Sequence, residues 1–348
     1  MVCGYGGKAA CLAPTIPKVS AMDELARISA VGPAATRRHA GLSRRAFRET
    51  IWFHIFTLPW LLGFLSLAVI PLVLGLATSF TNYDGLNLDQ LKFTGLTNYG
   101  RAFITPDFYI SLRNSARYAI VAVPIGLALS LLLAALLNQP IKGRDFLRLL
   151  YYVPAILPVA GAARAWSLLF GQNSGLVNSF LSVFRPGTAI NWTNDQFFLM
   201  LYLYEWWHMG GGMVLFLAGL QGIPVELYEA GRLDGANSFH LFRRITLPLI
   251  TPVVFFQLIM GLIWSLQIFD VPILIYGRAG MWGTVNMPQD KFMYMIYIYS
   301  QTFDFQRFGY GVALSWLFFI LVLILTVVVI ATSKYWVYYE VAQEGEAR

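Results

Sequence analysis

Six long apolar blocks, separated by shorter polar segments, organise this chain. They run roughly over residues 52–80, 115–137, 149–170, 197–221, 250–276 and 310–333. Each exceeds the length of about 20 residues that carries an α-helix across a bilayer. Pro59, Pro71, Pro124, Pro154 and Pro158 fall inside the blocks, where a membrane helix tolerates proline if neighbours satisfy the freed carbonyls. The pattern predicts an all-α polytopic membrane protein with six transmembrane helices. The intervening segments 81–114 and 277–309 are long enough to hold short helices on one membrane face. Asn82-Tyr83-Asp84-Gly85, and Trp192 near Asn194, combine turn and aromatic residues that suit an interfacial belt or a docking surface. Residues 1–50 are rich in Gly, Ala, Pro and Arg without helical periodicity and are expected to form a disordered basic tail. The membrane domain is then 51–335, followed by a short tail, 336–348. Met22 offers an alternative start.

Charge orients these blocks. Outside them, Lys and Arg number sixteen on the side shared by the N-tail, the 138–148 and 222–249 loops and the C-tail, against seven on the other. That places both termini in the cytoplasm. Most of the excess sits in the N-tail, whose run Arg37, Arg38, Arg44, Arg45, Arg48 abuts the first block. The block behind this run is too long for a secretory h-region. Composition agrees with a cell-membrane, multi-pass protein. The 348 residues are 57% hydrophobic and only 12% charged, with mean hydropathy +0.59, about half the charge a soluble domain carries. The net charge of +7 is accounted for by orientation and calls for no nucleic acid. Cys3 and Cys11 have no metal-site spacing and no role is assigned to them.

Enzyme signatures are absent from the sequence. It has no GxxxxGK[ST] phosphate loop, no HExxH and no nucleophile elbow. His39, His54, His208 and His240 are scattered. No catalytic residue and no metal ligand set is assigned.

The most informative segment joins the fourth and fifth blocks, from Gln221 to Pro248. Pro224 fits the first turn of a helix, and Glu226 and Glu229 favour its N-terminal half. Gly235 suits a left-handed stop. Asn237 or Ser238 can cap a second short helix over 239–244, and Pro248 and Pro252 open the fifth span. A compact helix–turn–helix results on the cytoplasmic face. Its small residues Ala230, Gly231, Gly235 and Ala236 allow another surface to approach closely. On these signals alone an ordinary polar loop is an equal alternative.

This stretch resembles the EAA loop of ABC-importer permeases, whose pattern is E-A-A, two residues, D-G-A, eight residues, I-x-L-P. The match holds at Glu229, Ala230, Asp234, Gly235, Ala236, Ile245, Leu247 and Pro248, with the eight-residue gap intact. Gly231 departs from the family's alanine, a change that loosens a helix by up to ~1 kcal/mol. Phe93–Tyr99, Leu217–Pro224 and Gly309–Trp316 resemble further segments of the maltose/glycerol-3-phosphate-type carbohydrate permeases. The likeness covers residues 52 to about 335.

The resemblance implies a permease subunit with no enzymatic activity. Coupling helices in the 224–248 loop would seat on a separate ABC ATPase dimer, with Glu229 as polar contact and Gly235 as a hinge-like turn. ATP and Mg would belong to that partner, and no cofactor to this chain. It further implies a second homologous permease subunit, an extracytoplasmic solute-binding protein and a sugar substrate. Family analogy puts a substrate path on the fourth and fifth spans. There Tyr204, Trp207, His208 and Gly211 share one helical face, and Gln257, Gly261, Ser265 and Ile268 another. Packing between helices is the alternative for the aromatics. Three charges inside spans stand out, Arg164, Glu205 and Asp270, and such charges are functional suspects. Arg164 could pair with Glu205 or Asp270, or meet an anionic substrate group. A stand-alone secondary transporter or channel would predict an internal repeat, and no repeat of the 229–248 motif is found. A membrane-embedded enzyme would have only Arg164, Glu205, His208 and Asp270 to draw on.

Overall fold

The computed structural model describes residues 44–87, 89, 91–172, 175–187, 189–276 and 287–338. The tail expected to be disordered thus lies outside the described residues up to 43, as does the C-terminal tail from 339. The chain is already helical from Arg44, so the first helix begins inside the stretch assigned to the tail. Arg, Ala and Glu in that stretch are good helix formers.

The chain divides into two units at Val69. The first contains α1 (Arg44–Phe64) and a π-helical turn, Leu65–Val69. The second, from Ile70, contains the other α-helices of the described residues. These are α2 (Ile70–Ser79), α3 (Thr97–Ile104), α4 (Pro106–Leu137), α5 (Arg144–Ile156), α6 (Val159–Leu169), α7 (Leu176–Phe184) and α8 (Phe197–Trp207). They continue with α9 (Gly210–Gln221), α10 (Val225–Leu233), α11 (Ser238–Leu241), α12 (Leu247–Leu266), α13 (Asp270–Tyr276), α14 (Tyr294–Tyr299) and α15 (Phe308–Ser333). Among the described residues, β-pairing is limited to one bridge between Thr81 and Phe93.

Four helical stretches are long and apolar enough to cross a membrane: Phe47–Ser79, Pro106–Leu137, Ser238–Tyr276 and Phe308–Ser333. Two bent pairs raise the number to as many as six. The block predicted as a single third span, 149–170, is one of these pairs, bent by 98° between α5 and α6. The cause is local. Leu157 precedes Pro158, and the proline ring pushes it out of the helical region to φ −69°, ψ 143°. Only 33%, 22% and 17% of the apolar windows of the second, third and fourth stretches are buried within the chain. Water would not tolerate that exposure, whereas lipid or a partner membrane subunit would.

Helix α4 is the central post. It packs on α8, α9, α12 and α14. α15 packs on α2 and α3, and α6 on α13. Near the N-terminal end of α4, Asn114 is buried and its Nδ2 donates to the carbonyls of Asp290 (2.8 Å) and Phe292 (3.0 Å). The next residue, Ser115, accepts the Tyr294 N–H at 2.9 Å. Buried polar groups bonded in this way fix one position of the 290–294 segment.

The turn after α2 is held by Asp84. Its carboxylate accepts the backbone N–H groups of Leu86 and Asn87 and the Asn87 side-chain amide, each at 2.9 Å. These donors, the backbone N–H of Asn87 first, hold the carboxyl down at about 2. A lowered pKa stabilises above the ordinary aspartate value and is lost only as pH falls through about 2. The turn is therefore expected to be independent of pH from 5 to 8. Amide exchange should show equal protection of Leu86 and Asn87 across that window, and loss of protection in Asp84→Ala.

Candidate functional site

The segment between α8 and α12 contains two candidate sites, a groove within the helical bundle and a helix–turn–helix at one end of it.

The groove exists because one apolar block is not one helix. Residues 197–221 form α8 and α9, broken at His208 and Met209. The sequence there runs into Gly210-Gly211-Gly212, and each glycine weakens a helix by about 1 kcal/mol. At the break His208 N–H bonds to the Glu205 carbonyl at 3.0 Å. That leaves the Tyr204 carbonyl without its usual partner, and the His208 ring takes it through Nδ1 at 2.9 Å. Nδ1 is thereby the protonated nitrogen.

Neighbouring helices staple the first turn of α9. Ser130 Oγ, on α4, donates to the Met209 carbonyl at 3.1 Å, and Gln257 Nε2, on α12, to the Gly212 carbonyl at 3.2 Å. Both donors are buried. Gly212 is required in this arrangement, because a Cβ would lie 2.7 Å from Gln257 Oε1 and 2.9 Å from Ser130 Oγ. A groove of about 300 Å³ opens beside the break. Gly126 and Ser130 of α4 line one wall, and Glu205, His208 and Gly212 another. Gln257, Gly261, Phe256, Met260 and Trp264 of α12 complete it.

The predicted substrate-path residues divide. His208, Gln257 and Gly261 line the groove. Tyr204 is buried, 4% exposed, against Trp166, Trp207 and His208, and its hydroxyl has no hydrogen-bond partner among the described residues. Trp207 stacks on Trp166 at 5.2 Å. The nearest atom to a Cβ on Gly211 is Ala155 on α5. The shared face predicted for these residues assumed an unbroken helix, and the break after Trp207 rotates Gly211 off it. Ser265 is buried and bonds to Leu262 O. Ile268 lies beyond the end of α12, whose C-cap is Gln267. Removing the stranded hydroxyl in Tyr204→Phe is expected to leave stability unchanged or raise it by up to about 1 kcal/mol, read as the melting temperature of the purified protein.

The intramembrane charges do not pair as anticipated. Glu205 accepts the Tyr118 hydroxyl at 3.2 Å. Arg164 and Asp270 are both exposed. Asp145 forms ion pairs with Arg144 and Arg148. Sequence periodicity missed the α4 wall and the exposed row Phe256, Met260, Trp264. Their i, i+4, i+8 spacing was legible, but nothing in it distinguished a groove from a lipid-facing stripe.

The second candidate matches its sequence reading more closely. α10 starts one residue after Pro224. It ends in two bonds, Gly235 N–H to Arg232 O (3.0 Å) and Ala236 N–H to Gly231 O (2.9 Å), with Gly235 at φ +80°. This is a Schellman stop, and the positive φ is why a glycine is needed there. Asn237 caps α11 by accepting His240 N–H at 2.8 Å. The second helix is Ser238–Leu241, then a π turn Phe242–Thr246 that runs directly into α12. Pro248 lies in the first turn of α12. Tyr228 and Thr246 join the two arms through their hydroxyls at 2.9 Å.

Gly231 faces Leu241 and Ile245, so the departure from alanine makes room for the second arm. Asp234, Gly235, Ala236, Asn237, His240 and Arg244 border a cavity of about 520 Å³. Glu229, Ala230 and Leu247 are exposed, and so is Leu233, at 90%.

Among the described residues the chain combines membrane-length helices, a polar groove at a broken helix and a tightly capped helix–turn–helix. The chain belongs to the family of binding-protein-dependent transport system inner membrane components, which matches residues 108–340. It is a multi-pass inner-membrane permease of the ABC-importer type. The probable ABC transporter permease protein YesP of Bacillus subtilis is 33% identical over 306 residues, 87% of this chain and 96% of that protein. The trehalose/maltose transport system permease protein MalF of Thermococcus litoralis is 32% identical, covering 72% of this chain and 86% of its own length. In solved structures, the fold resembles a chain of a bacterial ABC transporter involved in import of the acidic polysaccharide alginate. There the TM-score is 0.73 at 21% identity, over 83% of this chain and 97% of that one.

Proposed function

We propose that this chain forms one half of the translocation path of an ATP-driven importer for a sugar or related polar solute. In this reading six spans place both termini in the cytoplasm. Residues 51–335 make the transmembrane domain, flanked by a basic tail and a short C-terminal tail. The observation that carries the reading is the groove at the α8–α9 break. Its amide, imidazole, hydroxyl and carboxylate groups stand beside aromatic side chains. A sugar needs both, hydrogen-bond partners for its hydroxyls and a flat apolar surface for its CH face. Relatives named for trehalose/maltose and arabinooligosaccharide transport point the same way.

The chain supplies no ATPase, so the energy comes from a partner ABC ATPase dimer that holds ATP and Mg. The 224–248 loop is the lever, with Glu229, Asp234 and the Gly235 turn at its tip and Ile245, Leu247 and Pro248 leading into α12. Because the second arm continues into α12 without a break, displacement of the tip is transmitted to the helix that carries Gln257 and Gly261. A second homologous permease completes the path, and an extracytoplasmic solute-binding protein delivers the cargo.

The test is uptake by a strain lacking this chain across a panel of mono- and oligosaccharides. Loss of uptake for one sugar or one structural series, restored by the gene, is the expected result. Unchanged uptake across the panel would count against it.

A further inference from the structure

Among the described residues that line the groove, Glu205 is the only acidic one and none is Lys or Arg. It lies in the last turn of α8, open to the groove, and is oriented by the Tyr118 hydroxyl at 3.2 Å. Tyr118 is itself fully buried in α4 and stacked on Tyr202 at 5.6 Å, so the carboxyl is held by a rigid donor. His208 is the other titratable group on the wall, and its Nδ1 is committed to the Tyr204 carbonyl. The remaining polar groups there, Ser130 and Gln257, donate to backbone carbonyls. A solute path is hydrated, and there the carboxylate places a negative charge on this wall, with the His208 imidazole as its titratable neighbour and neither Lys nor Arg lining it.

We infer that Glu205 is a specificity-determining residue of the path, a charge filter that admits neutral or cationic sugars and rejects anionic ones such as uronates and sugar phosphates. The inference rests on the reading of the groove as the solute path. A neutral sugar can donate hydroxyl hydrogen bonds to the carboxylate, and such charge-assisted bonds are the stronger kind. An amino sugar adds attraction. A carboxylate or phosphate on the cargo would meet like charge with nothing on this wall to offset it. The exposed faces of Phe256 (54%) and Trp264 (70%) serve neutral and cationic cargo equally well. The likeness to a chain of an alginate importer, at 21% identity, is one of fold alone.

The test reads the charge of the groove without involving a binding protein's preferences. In the complete reconstituted importer, freed of reactive cysteines by replacing Cys3 and Cys11 here and any in its partners, a single cysteine is placed at Met260→Cys or, separately, Leu215→Cys. Both positions line the groove. Modification rates are then compared for a trimethylammonium and a sulfonate methanethiosulfonate reagent, each normalised to a free thiol. The cationic reagent should be favoured by at least about tenfold. Glu205→Gln, which keeps an acceptor for Tyr118, should remove most of that preference. A preference unchanged by Glu205→Gln, or one for the sulfonate, overturns the filter. Equal normalised rates together with blocked uptake overturn the filter and leave the path standing. Failure of both reagents at both positions overturns the path reading and the filter with it.

Discussion

Glu229→Lys should abolish uptake while leaving the protein in the membrane at its normal level. The side chain is exposed on α10 and makes no bond within the described residues. The fold should therefore register the change only as an ordinary surface substitution, within about 0.5 kcal/mol. At an interface the same change is costly, because reversing a charge against a complementary partner costs roughly 2–5 kcal/mol. That is enough to empty a coupling contact. The Schellman stop at Gly235 and the Asn237 cap lie beyond the mutated turn and should hold, so circular dichroism and abundance should not change. Uptake at wild-type rate in Glu229→Lys would remove the loop from the mechanism. Loss of uptake accompanied by loss of protein would show that Glu229 is structural.

Gly212→Val should reduce uptake by at least about tenfold, for a reason inside the bundle. The new side chain would enter the space occupied by Gln257 Oε1 and Ser130 Oγ. Overpacking of this kind costs about 1–3 kcal/mol. Displacing the two buried donors from the carbonyls of Met209 and Gly212 adds about 1–3 kcal/mol for each group left unpaired. The broken helix would lose its registration against both α4 and α12. A lowered melting temperature should accompany the loss of uptake. Ser130→Ala, which removes one staple without adding bulk, should show a smaller change in the same direction. Normal transport by Gly212→Val would mean that the geometry of the break does not matter to the path.

How much of this was legible beforehand depends on the scale at which the sequence is read. The apolar blocks located the long helices, because a stretch of some 20 apolar residues has few alternatives to a membrane helix. The helix–turn–helix was also accessible. Pro224, Gly235 and Asn237 each act within one turn of their own position, and the structure places a helix start, a Schellman stop and an N-cap at or next to them. What failed was periodicity carried across a break. Tyr204 and Gly211 shared a face only if α8 continued through His208, and three consecutive glycines and the close neighbours of α9 decide otherwise. The 98° bend before Val159 was signalled by Leu157-Pro158, but proline within an apolar block is also compatible with a straight span. Arg164 illustrates a different limit. Sequence can show that a charge lies within an apolar block, but its partner is set by tertiary geometry, which here leaves it exposed and gives Glu205 to Tyr118.

The central claim is that this chain is the path and lever of an importer whose energy comes from another protein. The most direct test is to purify the tagged chain from native membranes in mild detergent and measure ATP hydrolysis in the preparation. The account predicts that an ATPase copurifies in fixed proportion with the wild-type chain and is lost from the Glu229→Lys preparation. Solute transport by the chain alone in proteoliposomes, without ATP or any second subunit, would contradict it.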